Sequence, residues 1–425
     1  MLPLVSLPHK MSPQSVNKSV RVATTLGAIV FFISLTSIAA RAGLASLFAA
    51  YAGNANVMAA ADAAVNLSPG DPDVHLIRGE LFEKGGSLSA AIKEYETAAT
   101  ARSDDYVLWL SLARAAELNG ERERAIAAAR RAIPLAPFYA QPHWQLGNML
   151  LRAGRKEEAF KELRLAGASN PTMMPGIIEL AWQFLGGSPD AVTRALNPER
   201  PEAYAALGQY FRQRGEVPDA IAMYAAAGSR AREERRSYLA ELVSAKRFKE
   251  AADLWAVDHS ANAIGEMIDP GFEQETDLTE PGFGWRAGEN STGFHLSLDS
   301  TRPRAGRLCL QIKFDGNAAN GAPIITQLVR VEAHTQYQIR FAARSESIIS
   351  GGLPFFEIVD ANTGASLAHS DDLPQSTVGW RDYSLDFNSG ESPAIQLILK
   401  RKNCSSQPCP IFGRLWLDGF SLLKP

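Results

Sequence analysis

Two consecutive segments of 34 residues decide the fold of this chain: residues 106–139, YVLWLSLARAAELNGERERAIAAARRAIPLAPFY, and residues 140–173, AQPHWQLGNMLLRAGRKEEAFKELRLAGASNPTM. Gly120 and Gly154 recur at this spacing, and so do Ala125 and Ala159. A fixed period in this range is typical of stacked helical units, because each unit buries its apolar face only against its neighbours. The sequence therefore predicts an array of units with a large exposed surface.

The same pattern extends, with interruptions, over residues 42–260. Segments 72–105 and 201–231 repeat it, whereas segment 174–200 is too short for a full unit. The recurring small residues and turn glycines resemble those of the tetratricopeptide repeat, a helix–turn–helix unit. The resemblance implies that small residues such as Gly147 let paired helices approach, and that a glycine ends the first helix of each pair. We expect five or six such units.

A groove on the concave face of the repeats is what the resemblance implies for function, with a protein partner bound along the first helix of each unit. Trp144 and Arg152 would hold a peptide by ring stacking and by charge-assisted hydrogen bonds. The alternative is that Trp144 packs against the neighbouring unit. The groove positions that the family pattern implies are Asp73, Glu80, Arg114, Trp144, Asn148, Arg152, Gln209 and Arg212.

Residues 22–41 form an apolar segment, in which VATTLGAIVFFISLTSIAA (22–40) contains no charge. As a helix rising ~1.5 Å per residue it would be about 28 Å long, close to the ~30 Å hydrocarbon core of a bilayer. Basic residues precede it without an acidic one, which predicts a single-pass inner-membrane anchor with a cytoplasmic tail of residues 1–21. The bulk of the chain would then be periplasmic or extracellular. A signal peptide cleaved at Ala40-Arg-Ala42 is the alternative.

The composition argues against several kinds of site. The net charge is −3 and acidic and basic residues are interspersed, so no surface for nucleic acid is predicted. Cysteine and histidine show no metal-ligand spacing, which argues against a zinc site. Export to an oxidising compartment would favour a disulfide between Cys404 and Cys409.

Residues 262–425 change from helical periodicity to alternation of apolar and polar side chains. Leu310, Ile312 and Phe314, for example, alternate with Gln311 and Lys313. Turn-forming residues separate several such runs, which is typical of an antiparallel sandwich, and about eight strands would make a jelly roll. The predicted fold class is therefore a multidomain chain with a transmembrane helix, an all-α repeat solenoid and an all-β antiparallel jelly-roll sandwich.

Motifs in this second region resemble those of carbohydrate-binding modules of the galactose-binding-like sandwich type. They include Asp269-Pro-Gly-Phe-Glu273, Gly282-Phe-Gly-Trp285, Gly379-Trp-Arg-Asp-Tyr383 and Leu415-Trp-Leu-Asp418-Gly-Phe420. The resemblance implies a structural calcium ion near Glu273 and Asp418, with two ordinary surface carboxylates as the alternative.

A glycan site needs a flat ring that stacks on the sugar, with planar hydrogen-bonding groups beside it. Phe294 is a further ring available for this purpose. The glycan-binding residues that we predict are Trp285, Arg286, Arg344 and Glu357.

No catalytic motif stands out, so we predict a scaffold rather than an enzyme, with no cofactor other than the calcium ion. The pairing of the two modules suggests a part in the assembly or export of envelope polysaccharide. The main alternative is a carbohydrate-active enzyme that uses sandwich carboxylates among Glu357, Asp360, Asp371 and Asp372. A third hypothesis makes the sandwich a packing cap on the repeats.

Overall fold

The computed structural model describes most of the chain, with side chains from Thr24 onward. The described residues are 18–259, 263–274, 277–288, 292–404 and 408–425. Within them the predicted fold class is confirmed, because helices come first and two antiparallel sheets follow. Most of the predicted cytoplasmic tail (1–21) and the predicted boundary at residues 260–262 lie outside the described residues.

The chain forms two compact units, Met1–Asn197, here called the helical unit, and Pro198–Pro425, here called the sandwich unit. In its described part the helical unit has ten α-helices, which pair in sequence as the 34-residue period predicts. They are α1 (Lys18–Ala55), α2 (Met58–Leu67), α3 (Pro72–Lys84), α4 (Leu88–Ala101), α5 (Tyr106–Leu118), α6 (Arg122–Ala132), α7 (Ala140–Arg152), α8 (Lys156–Ser169), α9 (Met174–Phe184) and α10 (Pro189–Leu196).

Helix ends in the repeats follow from the local sequence. Asp71 and Asp105 cap α3 and α5, since each carboxylate accepts the backbone N–H two residues further on at 2.9 Å. Gly120 lies between α5 and α6 with a φ of 83°, a left-handed backbone that glycine adopts without strain. The second helix of the repeat can therefore fold back on the first.

Close approach of the paired helices depends on small residues, as predicted for Gly147. A Cβ atom added at Gly147 would lie 2.7 Å from Leu163 Cγ, and one added at Gly79 would lie 2.6 Å from the ring of Tyr95. Both distances are far below van der Waals contact. The larger residue of the second helix thus occupies the space that the glycine leaves on the first helix.

Helix α1 runs without interruption from its apolar segment into the first repeat. By length and composition, Thr24–Ala55 is the one helix in the described part of the chain that could cross a membrane. Its last turns pack on α2 and α3 through Ala45, Ala49 and Ala52. The first helix of the first repeat is therefore the carboxyl-terminal part of α1.

The sandwich unit begins with four helices: α11 (Pro201–Arg214), α12 (Val217–Ala226), α13 (Arg232–Ser244) and α14 (Phe248–Trp255). Ten strands follow among its described residues. They are β1 (Trp285–Ala287), β2 (Phe294–Asp299), β3 (Cys309–Asp315), β4 (Ile325–Arg330), β5 (Gln336–Ser350), β6 (Pro354–Asp360), β7 (Ser366–His369), β8 (Ser376–Asn388), β9 (Ala394–Arg401) and β10 (Ile411–Leu423).

Two five-stranded antiparallel sheets form the sandwich, with the strand orders β1-β4-β9-β6-β7 and β2-β3-β10-β5-β8. Eight of these strands, β4-β9-β6-β7 facing β3-β10-β5-β8, alternate between the sheets in the order of a jelly roll. The remaining two, β1 and β2, each add one strand to an edge. These edge strands account for the difference from the predicted number of about eight.

Aromatic rings fill the space between the sheets. Phe341 stacks on Phe420 with ring centroids 5.1 Å apart, and Trp285 lies 4.8 Å from Phe420 and 5.0 Å from Phe272. The Nε1 atom of Trp285 donates a hydrogen bond to the carbonyl oxygen of Asp269 at 3.0 Å. The opening and closing motifs of the sandwich therefore meet around the Trp285 ring.

Helix α14 packs on the sandwich within the same unit. The Trp255 ring meets Phe283 edge-on with centroids 6.1 Å apart, and a Cβ atom added at Gly282 would lie 2.5 Å from the Trp255 ring. Arg236 of α13 donates a hydrogen bond to Asp277 Oδ2 at 3.0 Å. The sandwich and the last helices thus share a packed contact, a feature that the packing-cap hypothesis requires.

Candidate partner-binding cleft

A cleft of about 290 Å³ lies in the helical unit between α5 and α7. Its lining residues are Arg114, Glu117, Trp144, Gln145, Asn148, Met149 and Arg152. Four of these seven belong to the predicted groove. The other three, Glu117, Gln145 and Met149, were not predicted.

The repeat period places these side chains on one face. Arg114 and Asn148 occupy the same position in consecutive repeats, and Glu80 occupies it in the repeat before. Glu117 follows Arg114 by about one turn of α5, so it lies on the same side of the helix. The spacing could have identified Glu117 as well, because Glu83 precedes it by one period.

Ion pairs join neighbouring first helices along the cleft. The Nε atom of Arg152 donates to Glu117 Oε1 at 2.7 Å, and Arg114 pairs with Glu83. The hydroxyl of Tyr95 also donates to Glu83, at 2.9 Å. Because both arginines are about half exposed, each pair contributes only roughly 0–1 kcal/mol to stability. The main effect of the pairs is to hold the two guanidinium groups beside the cleft.

Trp144 supplies the aromatic surface of the cleft. It is half-buried, and its carbonyl oxygen accepts a hydrogen bond from Asn148 Nδ2 at 2.8 Å. The ring edge also approaches α9, since a Cβ atom added at Gly176 would lie 3.7 Å from Trp144 Cη2. Trp144 therefore both packs against its neighbour and lines the cleft. In the same helix, Gln145 Oε1 is buried and has no hydrogen-bond partner among the described residues.

Two other predicted groove residues of the helical unit do not line this cleft. Asp73 accepts two hydrogen bonds from Arg102, each of 2.9 Å, in a bidentate pair at the start of α3. Glu80 lies close enough to Tyr95 for its charge to act there. The pKa of Tyr95 is raised mainly by burial of its side chain, and to a smaller extent by the negative charge of Glu80.

Gln209 and Arg212, the remaining predicted groove residues, belong to α11 of the sandwich unit. There Arg212 pairs with Glu241, with 2.8 Å from Nε to Oε2, and its guanidinium lies 4.8 Å from the centroid of the Tyr238 ring. The cleft thus unites four of the eight predicted residues.

A repeated polar pair that sequence reasoning missed lies inside the helical unit. The Nδ1 atom of His75 lies 2.7 Å from Glu94 Oε2, and that of His143 lies 2.6 Å from Glu162 Oε2. The two pairs are separated by two repeat periods. Burial opposes the charge of Glu94, but hydrogen bonds from Arg78 and His75 outweigh it and lower the pKa of that carboxyl. These pairs hold second helices to first helices, so we assign them to structure.

The predicted glycan-binding residues do not come together. The prediction that Trp285 stacks on a sugar is wrong, because its side chain is fully buried in the sandwich core. Arg286 and Glu357 lie on β1 and β6 of one sheet, whereas Arg344 lies on β5 of the other. Phe294 is partly buried and packs against the core.

Arg286 and Glu357 nevertheless share one row of the first sheet. The strand register carries this row through Arg286, Thr326, Ile398 and Glu357. It faces away from the core, since Leu397 and Leu399 on either side of Ile398 are fully buried. Although burial opposes it, hydrogen bonds from Lys400 and Ser366 lower the pKa of Glu357.

Arg344 lies against two tryptophans on the outer side of the second sheet. Its guanidinium carbon is 4.1 Å from the centroid of the Trp416 ring and 5.4 Å from that of Trp380. Asp299 Oδ2 accepts a hydrogen bond from Trp416 Nε1 at 2.6 Å. Arg344 thus covers Trp416, which is almost fully buried.

Glu273 and Asp418, the predicted calcium ligands, both bind the backbone of segment 304–308. Glu273 Oε1 accepts two N–H groups of this segment at 2.7 and 3.2 Å, and Asp418 Oδ2 accepts two others at 2.7 and 3.0 Å. Burial raises the pKa of Asp418, and the charge of Glu273 adds to the effect. Calcium takes six to eight oxygen ligands, whereas no group of three His, Cys, Asp or Glu side chains among the described residues could hold a metal. The two carboxylates hold segment 304–308 through its backbone N–H groups, and a calcium ion beside them stays a prediction.

The cysteines and two further acidic candidates, Asp360 and Asp372, have local partners. Cys404 and Cys409 are joined by a disulfide, with Cα atoms 5.8 Å apart. Burial raises the pKa of the free thiol of Cys309 to about 12. Asp360 accepts two backbone N–H groups of its own turn at 2.7 and 2.9 Å, and Asp372 pairs with Lys402 at 2.6 Å.

Residues 47–107 match the family model of the tetratricopeptide repeat. The helical region therefore contains tetratricopeptide repeats, in agreement with its paired helices and its period. No curated protein matches the chain.

Several solved structures are similar to parts of the chain. The crystal structure of MamA protein shares 15% identity over 42% of this chain and 94% of that chain, with a TM-score of 0.34. YrrB, a TPR protein with an unusual peptide-binding site, shares 16% identity over 39% of this chain and 89% of that chain, with a TM-score of 0.31. The CBM22-1 xylan-binding domain from Paenibacillus barcinonensis Xyn10C shares 16% identity over 39% of this chain and 97% of that chain, with a TM-score of 0.27.

Proposed function

We propose that this protein is a membrane-anchored, extracytoplasmic scaffold that binds a segment of a partner protein in the cleft between α5 and α7. Its tetratricopeptide repeats make it a protein-interaction scaffold. The observation that carries the finer proposal is the grouping of Trp144, Arg114 and Arg152 around one cleft of about 290 Å³.

The cleft favours a segment with an apolar anchor. Trp144 supplies the apolar surface, since Met149 beside it is only 5% exposed. Tryptophan rings are frequent energetic centres of interfaces. Arg114 and Arg152 are already paired with glutamates, so an incoming carboxylate would replace one charged partner by another with little net gain. We therefore expect charged groups of the partner to set its register and an apolar side chain to supply most of the affinity.

Two observations support the anchor. Helix α1 contains an apolar stretch long enough to cross a bilayer, and the basic residues of the tail precede it. In this arrangement the repeats begin directly at the outer surface of the membrane, because α1 enters the first repeat without a loop.

A carbohydrate bound to the sandwich is the second part of the proposal. It is supported by the outward-facing row that contains Arg286 and Glu357, with the half-buried ring of Phe355 on the same side of β6. A ring beside planar polar groups is suited to a sugar. We propose no catalytic step and no metal ion at this surface, and we place the protein in the handling of envelope polysaccharide.

Binding of peptides to the full chain in lipid nanodiscs tests the first part. On an array of unrelated peptides, the sequences retained by the wild type should bind at least tenfold more weakly to Trp144→Ala. Arg130→Ala is the matched control, because Arg130 is an exposed, ion-paired residue of α6 outside the cleft. Equal retention by wild type and Trp144→Ala would contradict the proposal.

A glycan array probed with the same preparation tests the second part. Any glycan retained by the wild type should be lost in both Arg286→Ala and Phe355→Ala, while peptide binding persists. If the wild type retains no glycan, the sandwich is a packing cap. New reducing ends on the arrayed glycans would instead support the enzymatic alternative.

A further inference from the structure

One side of α1 carries four apolar residues that nothing in the described part of the chain covers. Leu44, Leu47, Phe48 and Tyr51, here called the α1 stripe, are between 40% and 68% exposed. Their spacing of three and four residues places them in one line along the helix. The stripe lies beyond residues 22–40 and Arg41, in the part of α1 that forms the first repeat, where exposed side chains are normally polar.

The later repeats show what this side of a first helix does. Aligned on the starts of α2 and α4, Leu44 is equivalent to Val74 and Tyr51 to Leu81. Val74 and Leu81 are buried, and they pack against α1 and α2, which form the preceding repeat. Leu108, one period after Val74, packs in the same way against α4. The α1 stripe is therefore a repeat-packing surface whose neighbour does not lie among the described residues.

We propose that the α1 stripe packs against the same stripe of a second copy of this chain. The inference rests on the membrane anchoring of the proposed function. Two copies inserted in one orientation present α1 in parallel and at the same depth, so each stripe meets itself about a two-fold axis, the commonest symmetry of homodimers. Confinement to one bilayer also raises the effective concentration of the second copy.

The sequence around the stripe fits a parallel helix pair. Positions a and d of one heptad register are occupied, without a charge, by Ser37, Ala40, Leu44, Leu47 and Tyr51. Arg41 falls beside this seam, where its guanidinium can reach solvent. From Ala42 to Ala61 the chain has no charged residue. A charged partner surface would therefore meet no opposite charge here, whereas an identical apolar surface could pack against the stripe.

Disulfide trapping in membranes tests the proposal with the full chain. Single cysteines replace Leu44, Leu47 or Tyr51 in turn, and Ser46→Cys is the matched control, because Ser46 is exposed on another side of α1. Two differently tagged copies are expressed together and oxidised. We expect at least five times more product carrying both tags from the three stripe positions than from the control.

The native cysteines leave a low background for this experiment, since Cys309 is buried and Cys404 is paired with Cys409. A second variant separates packing from chance collision. Leu47→Glu should reduce trapping through Tyr51→Cys at least fivefold, whereas Ser46→Glu should not. Leu47 is exposed, so circular dichroism should show an unchanged helix content for both variants.

The outcomes separate this inference from the proposed function. Equal trapping at Ser46→Cys and the stripe positions, or no trapping in a chain that resists carbonate extraction, overturns the dimer alone. A product that joins one tagged copy to a different protein also overturns it, in favour of another partner. A chain that carbonate extracts from the membrane overturns the anchoring, and the dimer with it.

Discussion

The cleft of the helical unit and the outer faces of the sandwich differ in how well the sequence pattern predicts which residues lie together on the surface. In the repeats, one period carries equivalent residues to the same face, so Arg114 and Asn148 line one cleft. In the sandwich, alternation tells which side of a strand a residue occupies but not which sheet the strand joins. Alternation therefore did not show that Arg286 and Arg344 lie on different sheets. A local period can predict which residues share one face of a repeat protein, whereas the same prediction for a jelly roll also requires the strand order.

The two regions also differ in what holds them together. The sandwich depends on large rings such as Trp285 and Phe341, which fill one continuous core. The helical unit depends on positions such as Gly147, where the lack of a side chain lets two helices approach closely. Alanine-rich contacts between helices add to its packing. Substitutions should therefore damage the two units by opposite routes, by leaving a cavity in one and by overpacking the other.

Trp285→Ala should have the largest effect, a loss of roughly 3–5 kcal/mol in the free energy of unfolding of the sandwich unit. The fully buried ring would leave a cavity, and the Asp269 carbonyl oxygen would lose one of the hydrogen bonds that it accepts. Denaturant unfolding followed by tryptophan fluorescence measures it. The control is Trp380→Ala, which removes a half-buried ring on the outer side and should cost less. A stable Trp285→Ala protein that loses glycan binding would restore Trp285 as a ligand surface.

Gly147→Leu should destabilise the helical unit by about 1–3 kcal/mol or more through overpacking against Leu163. Thermal unfolding monitored by circular dichroism would show this as a lower Tm for the helical transition. Ala127→Leu also introduces a leucine side chain, but at an exposed position of α6, and should leave the Tm unchanged. If both variants unfold alike, the close contact between α7 and α8 is not what limits the unit.

Removal of calcium should have the smallest effect. A resident ion at 100 times its Kd would add about 2.7 kcal/mol to stability, but the oxygens of Glu273 and Asp418 already accept backbone N–H groups. We expect the Tm of the sandwich unit to be the same in chelator and in millimolar calcium, with magnesium as the control. A rise in Tm specific to calcium would show that further ligands complete a site there.

Sequence reasoning reached the fold because each element has a local signal. The period of 34 residues predicted the paired helices, and Gly147 lies at the close contact that its small size indicated. Sequence reasoning could not predict that Trp285 faces the core. This residue begins a three-residue edge strand, and the orientation of that strand depends on its pairing with β4. Nor could sequence reasoning show that Gln209 and Arg212 belong to a different compact unit from Trp144, since the repeat pattern itself continues past that boundary.

The unbroken course of α1 has a mechanical consequence. A continuous helix of 38 residues has no hinge at the bilayer surface, so the helical unit would tilt together with the membrane-spanning part of the helix. If α1 spans a membrane, as proposed, the height and orientation of the cleft above the bilayer would then change with the tilt of α1.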